Sequence, residues 1–196
     1  DDGHAFLASY GSGELEMRNG TVIAQYKNTN SVLKTSYVGG PVLCADGAFD
    51  ASGNYWVVNS TETYGSLLAV RTKAGNWYSY SLLNNGTFIV ASDLTIDSYG
   101  QKWVIMPRNN NGDNCVAVYD DNGTPANIAD DHKTFFSLPV DFQGSNEKAN
   151  PQCITTDLDG NIWIGTDRGV VVFYSPGIVA GNSNIKAQQV LIQQDG

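Results

Sequence analysis

The chain has 196 residues, a formal net charge of −9, 16% charged residues and 11% aromatic residues. That length allows a compact domain burying about 70% of its unfolded surface, and the low charged fraction with plentiful Trp and Tyr excludes a disordered, charge-solvated chain. The acidic balance argues against nucleic acid as a partner, because neutralising phosphates takes clustered Lys and Arg, and no such cluster occurs.

The chain opens on Asp2-Gly3-His4-Ala5-Phe6-Leu7, which lines up with Asp159-Gly160-Asn161-Ile162-Trp163-Ile164 far downstream, Phe standing for Trp. Between them lie Asp50-Ala-Ser-Gly53-Asn-Tyr-Trp56 and Asp97-Ser-Tyr-Gly100-Gln-Lys-Trp103, and the last copy reads Asp157-Leu-Asp-Gly160-Asn-Ile-Trp163. Gly3, Gly53, Gly100 and Gly160 recur at intervals of 50, 47 and 60 residues, close to the length of a propeller blade of four antiparallel strands. One such unit cannot bury its own apolar face, so the copies must stack.

In chain order, the first repeat places strands at Glu14 to Met17 and Thr21 to Tyr26 around the tight turn Asn19-Gly20. The second places strand a at Cys44 to Phe49, b at Tyr55 to Asn59, c at Leu67 to Thr72 and d at Trp77 to Leu82. In the fourth, the same four parts are Cys153 to Thr156, Ile162 to Thr166, Val170 to Tyr174 and Ile185 to Ile192. No helical periodicity interrupts them. The chain reads as an all-β, partial β-propeller, 1–196, with blades at about 1–35 (lacking strand a), 36–85, 86–140 and 141–196. It starts inside a repeat, so a piece of a larger ring is favoured over four blades closing on themselves.

The repeated phrase has a mechanical reading. Asp50, Asp97 and Asp157 accept local backbone bonds, Gly53, Gly100 and Gly160 take positive φ, and Trp56, Trp103 and Trp163 pack between sheets. The pairs Asn19-Gly20, Asn85-Gly86 and Asn122-Gly123 spell glycosylation sequons, as does Asn59-Ser60-Thr61, but they are read as turn chemistry.

The run Cys153-Ile-Thr-Thr-Asp-Leu-Asp-Gly-Asn-Ile-Trp-Ile-Gly-Thr-Asp-Arg-Gly-Val-Val-Val-Phe resembles, nearly position for position, the two-component-regulator propeller repeat of Bacteroidetes proteins. The segment Tyr26-Lys-Asn-Thr-Asn-Ser-Val-Leu is similar to the linker before strand a in that family. The whole chain, with its ending Ile185-Lys-Ala-Gln-Gln-Val-Leu-Ile-Gln-Gln-Asp-Gly, looks most like surface propeller components of the type IX, or Por, secretion system. The resemblance implies a non-catalytic recognition surface outside the cytoplasm, in the periplasm or at the outer-membrane surface. It implies protein partners of a secretion or signalling assembly, or an anionic glycan or lipopolysaccharide. The alternatives are a periplasmic glycan-sensing propeller of a hybrid two-component sensor and a propeller glycosidase or lyase.

Propeller topology puts the b to c and d to a connections on one face, where rigidly held loops tend to carry binding residues. Arg108 and Arg168 occupy the same repeat position, five residues after Trp103 and Trp163. They are the expected contacts for a carboxylate or anionic glycan, through forked hydrogen bonds, with help from Tyr64 and Asn110. Open blade faces are expected to favour self-association.

Cys44, Cys115 and Cys153 are read as buried, unpaired small apolar residues. No metal or other cofactor is expected: His4 and His132 are far apart, no Cys-x-x-Cys occurs, and the Asp157 loop lacks the rest of an EF-hand. Catalytic residues are not assigned, since neither a nucleophile elbow nor a Walker loop is present.

Overall fold

A computed structural model describes residues 3–60, 66–82, 90–107, 115–138, 149–182 and 184–190, and every regular element among them is a β-strand. The first group is β1 (His4–Gly11), β2 (Gly13–Arg18) and β3 (Thr21–Tyr26). The second is β4 (Val42–Phe49), β5 (Tyr55–Ser60), β6 (Ser66–Arg71) and β7 (Trp77–Ser81). The third is β8 (Asp93–Ile96), β9 (Lys102–Ile105), β10 (Val116–Asp120) and β11 (His132–Phe136). The fourth is β12 (Pro151–Thr156), β13 (Ile162–Thr166), β14 (Gly169–Phe173) and β15 (Gln188–Gln189).

Each group is an antiparallel meander in chain order. The inner strands β4, β8 and β12 lie side by side, so the meanders fan out around a common axis. This is the architecture of a β-propeller, and it is open: among the described residues, no strand pairing joins the last sheet to the first. The first two meanders are not separate sheets. Tyr10 and Gly11 of β1 pair with Leu43 and Val42 of β4, giving one seven-stranded sheet.

Local chemistry explains the turns. Asn19 and Gly20 both have positive φ, 50° and 77°, the conformation that a two-residue hairpin needs to match strand twist. In the repeated phrase, Gly53, Gly100 and Gly160 share φ near +80°, where a Cβ would be strained.

The core lies between sheets and follows strand parity. Tyr55 and Val57 of β5 pack towards β1–β3, while Trp56 and Val58 pack towards β8–β11. On β9, Val104 faces back and Trp103 and Ile105 face forward into the fourth meander. In the first three repeats the aromatic therefore packs against the meander that follows it: Phe6 on Tyr55 at 4.3 Å, Trp56 near Tyr119 at 6.5 Å, Trp103 on Phe173 at 5.2 Å. Trp56 and Trp103 are fully buried. A side chain of that size buries roughly 150–250 Å², contributing at most about 4–6 kcal/mol each.

Candidate functional site

Of the four expected binding residues, Arg168 is placed, and Tyr64, Arg108 and Asn110 lie outside the described residues. Arg168 sits in the β13–β14 connection, where its backbone N–H donates to Thr166 Oγ1 at 3.1 Å. The same hydroxyl donates to Gly169 O at 2.7 Å and closes the loop. The adjacent Asp167 is clamped to the segment entering β12: Asn150 N and Nδ2 donate to its carboxylate at 2.8 and 3.0 Å, and Asp167 N returns a bond to Asn150 O at 3.1 Å. Burial works against the charge of Asp167, but the Asn150 bonds and the Arg168 guanidinium outweigh it and hold its carboxyl below the usual range. Arg168 is thus carried on a loop braced against the neighbouring connection, so the two connections share a face.

The repeated phrase forms a fuller lock than local capping. Asp50 Oδ1 accepts Ser52 N and Asn54 N, both at 2.9 Å, and Oδ2 accepts Asn54 Nδ2 and the Trp56 indole N–H, again at 2.9 Å. Asp97 repeats the pattern with Tyr99, Gln101 and Trp103, and Asp157 with Asp159, Asn161 and Trp163. Gln101, one methylene longer than its counterparts Asn54 and Asn161, also donates to Gly177 O at 2.8 Å and accepts from Val179 N and Ala180 N at 2.7 and 2.9 Å. That amide ties the loop after β14 to the third meander.

A set of carboxyls on and beside the inner strands was missed from the sequence. Asp46 of β4 accepts Leu94 N of β8 at 2.9 Å, and Asp93 of β8 accepts Ile154 N of β12 at 2.9 Å, so each inner strand reaches the next. Burial first, and then the neighbouring Asp93 carboxyl, raises the Asp46 carboxyl. Glu14 of β2 is fully buried and accepts the Tyr55 hydroxyl at 2.9 Å. Burial pushes its carboxyl up to about 7, the Tyr55 bond opposes this, and the nearby Asp46 charge adds to it. The available signal was spacing: Asp46 and Asp93 each stand four residues before a turn aspartate, Asp50 and Asp97.

In the fourth repeat that position is Cys153, and here the expectation of three buried thiols is corrected. Cys44 and Cys115 are buried, whereas Cys153 is exposed, and none of the three forms a disulfide. In the two preceding sheets the equivalent side chain reaches the next inner strand, and no described strand follows β12 in that way.

On the opposite, turn-bearing face, Tyr99 stands 59% exposed between two polar hollows. One, of about 390 Å³, lies towards Ser52 and Asn122; the other, of about 170 Å³, lies towards Asp159 and Ser175.

No protein-family model and no curated protein matches the chain. Solved structures do. Over 96% of its length it superposes on PorZ, an essential surface component of the type IX secretion system of Porphyromonas gingivalis, with a TM-score of 0.77 at 24% identity. It also superposes on virginiamycin B lyase from Staphylococcus aureus (TM-score 0.62, 17% identity, 98% of this chain) and on a putative gluconolactonase (0.58, 12%, 97%). The chain spans 25% of the PorZ chain, 54% of the lyase and 61% of the gluconolactonase. These likenesses establish the fold as that of β-propellers, of which this chain is an open part.

Proposed function

We propose that this chain is a recognition module of a cell-surface secretion or attachment system, located outside the cytoplasm, that binds an anionic lipopolysaccharide or a protein carboxylate through its loop face. The observation that carries the reading is the clamp of Asp167 on Asn150, which presents Arg168 from a braced loop. Preorganised guanidinium groups bind carboxylate and phosphate through paired, charge-assisted hydrogen bonds. Arg108 holds the same repeat position, and Tyr64 and Asn110 complete the proposed contacts. The likeness to PorZ over nearly the whole chain supports the surface setting.

A second reading, a propeller hydrolase or lyase, draws on the Asp46–Asp93 contact, since two close carboxyls can share and move a proton. Against it, both groups accept backbone N–H bonds that hold neighbouring strands together. The test is to pass the full chain over immobilised anionic lipopolysaccharide and over the same material after dephosphorylation, while assaying the eluate for released sugar. Retention that depends on the phosphates, without release, supports recognition. Released sugar favours the enzyme.

A further inference from the structure

The third turn departs from the repeat at two positions. The aspartate lock takes only the backbone N–H of the residue two places on, so nothing in the fold selects the side chains of Ser52, Tyr99 and Asp159. Folding therefore does not account for a tyrosine that stays 59% exposed. The other departure is Gln101, where the second and fourth repeats carry Asn54 and Asn161. Its buried side-chain carbonyl accepts Val179 N and Ala180 N, and Asn161 Oδ1 accepts Ser175 N at 2.9 Å at the other end of the same loop. These two amides pin residues 175–180 beside Tyr99. Ser175 has a φ of 39°, and the other described non-glycine residues with positive φ, Asn19 and Asn122, stand in Asn-Gly turns. Strain outside such a turn is kept where the surroundings hold a site in shape.

The Tyr99 ring thus stands between two hollows whose walls are set in advance. Ser52, Asp120 and Asn122 line the larger, with the exposed Ile178 at its edge, and Ser98, Asp159 and Ser175 line the smaller. Charge narrows the occupant. The larger hollow carries three aspartates against one lysine, and that lysine, Lys102, is buried in its pair with Asp121, so an anion is repelled. Two of these carboxylates are already hydrogen-bonded: Asp50 serves four donors, and Asp120 Oδ1 accepts Asn122 N at 2.8 Å. No cluster of side chains able to hold a metal ion occurs among the described residues. The walls offer hydroxyls, an amide and carboxylate lone pairs around one amphipathic ring. Those are the partners of a neutral ligand whose hydroxyls both donate and accept and which has a flat C–H face.

We propose that the turn face binds a neutral oligosaccharide. One sugar ring lies on Tyr99, and its neighbours in the chain reach into the hollows on either side, where Ser52, Asn122, Ser98 and Asp159 exchange hydrogen bonds with hydroxyls. The site lies on the face opposite the Arg168 loop and takes an uncharged ligand, so the two readings stand or fall separately.

The test is an amide-resolved NMR titration of the full chain with maltohexaose, cellohexaose, xylohexaose and mannohexaose, using hexagalacturonate as the charged control. Saturable shifts at Ser52, Tyr99, Gly100, Asn122, Gly177 and Ile178 are expected with at least one neutral probe and not with hexagalacturonate. Tyr99→Ser gives this turn the side chain that the second repeat carries, and should weaken the bound probe about tenfold while leaving the urea midpoint unchanged. Gln101→Asn shortens the amide to the length found in the other repeats. It should shift the Gly177 to Ala180 amides before any ligand is added, and weaken the same probe. Arg168→Gln should bind that probe as wild type does. No saturable shift with any neutral probe, a preference for hexagalacturonate, binding that survives Tyr99→Ser, or loss of binding in Arg168→Gln would overturn the site.

Discussion

The indole N–H of Trp103 donates to Asp97 Oδ2 at 2.8 Å, and the same bond links Trp56 to Asp50 at 2.9 Å and Trp163 to Asp157 at 2.6 Å. The repeat therefore joins a hairpin turn to the residue that packs against the next sheet. Asp97 is buried and serves four donors, so Asp97→Ala strands several of them. It should cost about 3 kcal/mol or more in urea unfolding. Trp103→Phe keeps the packing and loses one bond, and should cost about 1–2 kcal/mol. Asp157, which is partly exposed and whose carboxyl is the least opposed by burial, should tolerate Ala best of the three turn aspartates.

Stability should fall as pH rises from acid towards neutrality. Burial raises the Glu14 carboxyl from 4.5 to about 7, so the folded state holds that proton more tightly than the unfolded chain does. Its contribution is complete below the unfolded value and is lost as pH rises through the folded one. Asp50 and Asp167 act in the opposite sense: their carboxyls are held below 3.8, and their contribution is lost as pH falls below that value. Glu14→Gln keeps an acceptor for Tyr55 and removes the titration. Relative to wild type it should gain on the order of 2 kcal/mol between pH 5 and pH 8. Urea unfolding at both pH values checks this; a variant that gains nothing would show that Glu14 ionises without cost.

Cys153 should react alone. In the folded protein a thiol reagent should label one cysteine, and after denaturation three, because Cys44 and Cys115 are buried and Cys153 is exposed. Mass mapping of the native product should find the label at Cys153.

The fold was legible because its signal is periodic. The Asp-x-x-Gly phrase marks each a to b turn, and the strand spans read from Tyr55 and Ile162 onward match β5 and β13 to within a residue. What the sequence concealed depends on contacts between repeats. Nothing local to Asp46 or Asp93 says that each caps a strand of the next sheet, although their fixed distance from the turn aspartate was visible. The exposure of Cys153 follows from the position of its sheet in the array, which composition does not encode.

The outer face of β1–β3 should drive self-association. Register places Leu7, Leu15, Met17 and Val22 on one side of that sheet, with Leu7 53% and Val22 50% exposed. An apolar sheet face of this kind favours burial against another copy. Light scattering across a concentration series should show a mass above that of the monomer, and Leu7→Lys combined with Val22→Lys should return it to monomer.

The most direct test of the recognition reading is an equilibrium isotherm of the chain on anionic lipopolysaccharide, compared between wild type and Arg168→Gln at low and high salt. The account predicts saturable binding that weakens about tenfold in the variant, with salt eroding wild-type affinity more than that of the variant. An isotherm unchanged by the substitution and by salt would contradict it, as would lipopolysaccharide that is shortened rather than held.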